Sequence, residues 1–259
     1  MVRKIFAVSL LALGVNQANA ALVGGDIMFT SFNADEDGFS LVTFVNLGAN
    51  STIYFTDNEW NGSAIGSGGA FNTGESYSQW NTGGGQIDAG TVVRFNNVDS
   101  ATLLGASKGT FGRVTVSGSS NWGISNANET LYAYLGSSAT APSTFLSAIT
   151  NGNFAVDGPI VNTGLVQGIT AVDLNGNLTT SPDYGVYQGP RTGLSNFADY
   201  KVLVANEANW TVDAMNGTYA ATVPSTTAFT AVNNVPVPAS AWLLGSALVG
   251  IAGLRRRKV

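Results

Sequence analysis

The chain predicts an all-β sandwich with one or two short helices, and three observations predict it. β-branched and aromatic runs of roughly four to eight residues recur through the first 135 positions. Gly, Asn, Ser and Asp separate them, the residues that tight turns demand; 32 of the 259 residues are glycine. No repeat of fixed period is present, which sets aside a propeller or a solenoid.

Taken in order, Met1-Val-Arg-Lys4 is a basic opening and Ile5 to Val15 an apolar run. Ala18-Asn19-Ala20 follows with the small-x-small pattern that signal peptidase cuts, so residues 1–20 read as a signal peptide and the mature chain starts at Ala21. A body over 21–220 then opens with Asp26–Phe32, where alternation puts Ile27, Phe29 and Ser31 on one face. Five further strands are expected at 40–46, 51–56, 90–96, 112–117 and 129–135, at spacings that suit two packed sheets.

Two segments switch to helical spacing. Phe145, Leu146 and Ile149 form a one-sided patch after Pro142-Ser143. Asn196 stands where a helix cap belongs, ahead of Phe197, Tyr200, Leu203 and Val204 on one face. Between them, 151–193 is rich in Gly, Asn, Thr and Pro, with short strands expected at Ile160-Val161 and 168–172. Residues 221–234 read as a last strand passing into a linker.

The chain closes on 235–259. A short motif of Val235, Pro236, Val237, Pro238 and Ala239 leads into an uncharged run from Ala239 to Leu254, then Arg255, Arg256, Arg257 and Lys258. As a helix the run reaches roughly 24 Å, so it spans a ~30 Å hydrocarbon core only with local thinning. The four cations resist translocation and act as a stop on the cytoplasmic side. An N-terminal signal and a C-terminal stop together place the body outside the inner membrane.

Composition narrows the chemistry. All 16 acids lie in 21–234 against five cations there (Arg94, Lys108, Arg113, Arg191 and Lys201), a net charge of −11. Such a surface repels nucleic acid. The chain has neither cysteine nor histidine, so disulfides, thiol nucleophiles, Ser-His-Asp triads and most zinc sites are excluded. No phosphate-binding glycine loop and no G-x-S-x-G or S-x-x-K pattern occurs, so no catalytic residue and no cofactor is assigned, and the chain does not read as an enzyme.

Three constellations could still carry a function. Asn33-Ala-Asp35-Glu-Asp37-Gly38 matches the front half of a calcium loop, with oxygen ligands at positions 1, 3 and 5 and Gly at 6. Position 12 is Phe44, so a full loop is rejected, and a sheet-edge calcium site would need Asp57 or Glu59; the alternative is a solvated acidic turn. Asp173-Leu-Asn-Gly-Asn177 offers a similar turn, where Asn-Gly is ordinary hairpin chemistry. Trp60, Trp80, Trp122 and Trp210, with several tyrosines, could form a sugar platform, Trp80 and Trp122 being placed in Gly/Ser-rich loops, or could simply be core.

The closing motif resembles the PEP-CTERM class of bacterial sorting signals, in the variant written V-P-L-P-A, with Val237 standing where that variant has Leu. The resemblance implies an exosortase that processes the tail of an inner-membrane precursor, after translocon and signal peptidase have acted. It also implies a mature form at the cell surface or in the extracellular matrix of an exopolysaccharide-producing Gram-negative bacterium. The body, through Gly25–Asn33, Phe44-Val-Asn46 and Ile53–Trp60, resembles the lamin-tail-like domain of bacterial secreted proteins. That likeness implies an immunoglobulin-type sandwich used for adhesion or display. The expected role is structural or adhesive, associated with exopolysaccharide; a lectin-like module and a metal- or carboxylate-dependent polysaccharide hydrolase are the alternatives.

Overall fold

The structure, a computed structural model, describes residues 21–176, 178, 180–213 and 217–232. Within them run β1 (Ile27–Asn33), β2 (Gly38–Thr43), β3 (Thr52–Thr56), β4 (Tyr77–Asn81), β5 (Val92–Asn96) and β6 (Gly105–Ala106). There follow β7 (Thr110–Arg113), β8 (Thr130–Ser138), β9 (Ala141–Thr150), β10 (Ala171–Asp173), β11 (Tyr184–Tyr187), a helix α1 (Lys201–Ala205) and β12 (Trp210–Asp213). One sheet is ordered β12-β11-β1-β2-β5-β6 and the other β10-β9-β8-β3-β4-β7. Every pairing of these strands is antiparallel except β9–β10. The β-sandwich expectation holds.

The core forms where the inner rows of the two sheets meet. Phe39 pairs across its sheet with Phe32 and Phe95. Its ring lies 5.1 Å from Phe55 of the facing sheet, and Phe95 lies 5.3 Å from Trp80. Each such side chain removed from water contributes roughly 1.5–3 kcal/mol. A bulge corrects the expected face of β1: the register steps between Phe29 and Ser31, so Phe32 rather than Ser31 continues the inward row.

The second sheet is covered on its outer side too. Tyr132, Tyr134, Phe145 and Ala148 pack there with Trp60, Phe154 and Leu165, brought over by the loops 57–76 and 151–170. This explains a second correction. Phe145, Leu146 and Ile149 belong to β9, not to a helix. Leu146 is an extra residue where Ala133 pairs with Ser147 and Tyr134 with Phe145. The bulge and the two-sided cover turn a period of two into an apparent spacing of three.

The expected strand at 112–117 lies at 110–113, that at 168–172 shrinks to β10, and Ile160-Val161 is irregular. The helix after Asn196 begins as a 3-10 turn, Phe197–Tyr200, and continues as α1 with Tyr200 and Val204 buried. Asn196 makes no capping bond to the backbone and its amide donates to Asp199 instead.

Residues 217–232 form an extended strap rather than a free strand. Tyr219 stacks on Tyr184 with ring centroids 4.2 Å apart. Ten residues on, Phe229 is 2% exposed among Phe44, Tyr187 and Tyr200. Its N–H donates to the Gly90 carbonyl, and the N–H of Val232 donates to Leu194. Gly90, at φ +87, has to be glycine, because a Cβ there would meet the Phe229 carbonyl oxygen at 2.2 Å.

Among the described residues no helix is long and apolar enough to cross a membrane. The expected signal peptide 1–20, with Ala18 and Ala20 at its cleavage site, lies outside the described residues. So does the whole expected tail 235–259: the motif residues Val235, Pro236, Val237, Pro238 and Ala239, the apolar run after them, and the stop cations Arg255, Arg256, Arg257 and Lys258.

Candidate functional site

Strand direction sorts the charges. The far ends of β1, β3, β5, β9 and β12 and the near ends of β2, β4, β8 and β11 meet at one end of the sandwich. Arg113, closing β7, bonds the carbonyls of Val98 and Asp99 beyond β5 and ties the two sheets there. The β1–β2 turn brings Asp35, Glu36 and Asp37 to this end, and the loop from β3 to β4 brings Asp57, Glu59 and Glu75. Asp99, Glu129, Asp157, Asp173, Asp183 and Asp213 complete twelve of the 16 acids. Lys108, Arg191 and Lys201 lie towards the opposite end, where Lys201 pairs with Asp26 at 3.0 Å.

The β1–β2 turn is a hub of protein bonds. The Asn33 side-chain oxygen accepts the Glu36 N–H, while its amide donates to the Tyr219 carbonyl. Asp35 accepts the Tyr219 N–H at 2.6 Å, and Glu36 pairs with Arg94. Asp37, at φ +53, accepts from the Ile124 N–H. Burial, with Asp99 and Asp35 nearby, raises the Asp37 carboxyl to about 6. Protein donors thus engage all three expected calcium ligands of the turn.

Asp57 does not join them. It is 1% exposed and accepts from both the N–H and the hydroxyl of Ser76. Burial and the neighbouring Glu75 raise it to about 7, and burial with Glu59 raises Glu75 to about 7. Glu129, 4% exposed at the head of β8, rises to about 9 through burial, then Asp57 and Glu75. Burial shifts all three carboxyls towards the neutral form, Glu75 being only half-buried, and no spacing in the sequence announces their grouping. Among the described residues no group of three or more His, Cys, Asp or Glu could hold a metal ion.

Asp173 closes its own turn, accepting the N–H groups of Asn175 and Gly176 and, on its other oxygen, the Gln167 amide. It faces Glu207 across a surface depression of about 300 Å³.

The tryptophans divide. Trp80 is 1% exposed on β4, its indole N–H donating to the Lys108 carbonyl at 2.8 Å, so it presents no face to a sugar. Tyr77-Ser-Gln-Trp80 is strand rather than loop. Trp60 and Trp210 are buried as well. Trp122 is half-buried beneath the Arg113 guanidinium, 4.5 Å from the ring centroid. These four rings make no exposed platform.

Comparison with family models, with curated proteins and with solved structures gives no match.

Proposed function

We propose that this chain is an exported β-sandwich, anchored by its tail as an inner-membrane precursor and processed by an exosortase-type enzyme. Its mature form belongs to the cell surface or extracellular matrix. Its role there is structural or adhesive, in association with exopolysaccharide, and its sandwich is of the immunoglobulin type. The observation that carries the reading is the tail: Val235-Pro236-Val237-Pro238-Ala239, an uncharged run, then four cations. A plain anchor needs no Pro-x-Pro-Ala motif.

The body supports a non-catalytic role. Asp57 and the acids of the β1–β2 turn accept bonds from the protein, burial raises Glu129 towards its neutral form, and Trp80 is core rather than platform. Strands covered on both faces make a rigid module of the kind that display requires.

Intact mass and location in the native host test the proposal. Loss of residues 1–20 together with the tail from near Pro238, with protein at the surface or in the medium, is the expected result. A full-length C-terminus retained in the inner membrane would sink the sorting step and leave an anchor.

A further inference from the structure

We infer that the anchored protein stands on its membrane by the end at which the described chain begins and finishes, with its acid-rich end turned away. The inference rests on the membrane-anchor part of the proposal above and not on the sorting step.

Geometry fixes where the chain exits. Leu22 lies beside Leu47, Ser51 and Leu135, at the end where β3 starts and β8 is finishing. The strap carries the chain from Tyr219, at the acid-rich end, to Phe229 at Gly90, just ahead of β5. Val232 is then held by Leu194, whose N–H in turn donates to the Tyr200 hydroxyl oxygen. From Val232 to Ala239, where the apolar run begins, there are seven peptide units, which reach about 25 Å at full extension. β9, ten residues long, spans roughly 33 Å. The tether is therefore shorter than the body. Docking of 227–232 removes the slack that a free linker over 221–234 would have supplied.

The field selects the same pose. Twelve acids crowd one end; burial pushes Asp57, Glu75 and Glu129 towards the neutral form, and the other nine have Arg94 and Arg113 as partial relief. The tethered end carries Asp26 (already paired), Asp88 and Asp199 against exposed Lys108, with Arg191 and Lys201, while the sixteenth acid, Glu207, borders the depression that Asp173 lines. Charges interact across about 8 Å at physiological salt. A body lying with its acid-rich end on anionic headgroups meets repulsion at each exposed acid. A strand's length away that repulsion is screened out. Tether and charge thus act in one direction.

The absence of cysteine makes the test clean, since one introduced thiol is unique. Thr140, in the exposed β8–β9 turn, marks the tethered end, and exposed Ala101, beyond β5, marks the acid-rich end. Full-length Thr140→Cys and Ala101→Cys would each carry one fluorophore, in vesicles of phosphatidylglycerol and phosphatidylcholine bearing a headgroup nitroxide quencher. Ser138→Cys and Thr102→Cys are a second pair should either label disturb folding. The expected result is quenching at least three-fold stronger at Thr140 than at Ala101, the ratio falling towards one when about 20 flexible residues are inserted after Val232. Equal or reversed quenching in a chain that floats with the vesicles overturns the orientation alone. A chain that does not float overturns the anchor reading, and the orientation with it.

Discussion

Replacing Glu129 by Gln should stabilise this protein, and more so as pH rises. Its carboxyl has an ordinary value of 4.5 and sits at about 9 in the folded protein, because burial and then Asp57 and Glu75 disfavour the anion. Above pH 4.5 the unfolded chain ionises this group while the folded chain holds its proton. The folded state then binds the extra proton, so stability falls with pH, by about 1.4 kcal/mol per unit. The decline runs from about 4.5 to about 9. At pH 7 the accumulated cost reaches about 3 kcal/mol, and at pH 5 it is under about 1 kcal/mol. Gln keeps an acceptor for the Thr130 N–H that Glu129 now serves and has no proton to lose. Urea unfolding followed by tryptophan fluorescence, at half-unit steps from pH 5 to 8, reads the effect. Glu129→Gln should gain up to about 3 kcal/mol at pH 7, a rise in Tm of roughly 6–12 °C, and almost nothing at pH 5. A gain equal at both ends, or a wild-type stability that climbs between pH 5 and 8, would refute the buried-acid account.

Other perturbations follow from the same packing. Trp80→Ala should cost about 3–5 kcal/mol, since it empties a core site and strands the Lys108 carbonyl; the same denaturation assay checks it, and a near-neutral result would return Trp80 to the surface. Phe229→Ala should release the strap, so limited proteolysis would cut within 217–232 while the Trp80 fluorescence of the sandwich persists; an uncut strap would contradict its anchoring role. Gly90→Ala should lower Tm by several degrees, because a Cβ meets the strap carbonyl and the backbone is at φ +87; an unchanged Tm would show that the strap is not seated there. Millimolar calcium should leave Tm unchanged, since a ligand of the folded state alone must stabilise it; a rise would point to a site among the β1–β2 turn acids.

The strands legible in the sequence are those with bulky residues on both faces: β1, β2, β3, β5 and β8. Of those that are not legible, β4 and β11 lack that signature. β4 has a single bulky residue on each face, Tyr77 on one and Trp80 on the other, with Ser78 and Gln79 between them, and β11 carries Gly185, whose missing side chain admits Leu174. β9 looks helical because one extra residue, Leu146, shifts its inward row. At the acid-rich end, Asn33, Asp35 and Asp37 are visible through turn spacing. The trio of Asp57, Glu75 and Glu129 is not, because strands distant in sequence bring it together. The expectation that Asp57 joins the turn acids fails for the same reason: it bonds Ser76 instead.

The strap also decides how the protein would bear load. A pull on the chain beyond Val232 arrives first at the Val232–Leu194 and Thr230–Arg191 bonds, in a stretch that pairs parallel to Leu194 through Ala231. Behind them Phe229 is wedged among three rings, and the Arg191 guanidinium lies 4.9 Å above its own ring. Tension is therefore shared by several bonds before it reaches either sheet. If the strap peels, it frees about 15 residues, a slack of roughly 50 Å, while the sandwich behind it keeps both its sheets. A load applied beyond Val232 would therefore be met by the strap before it reached the module.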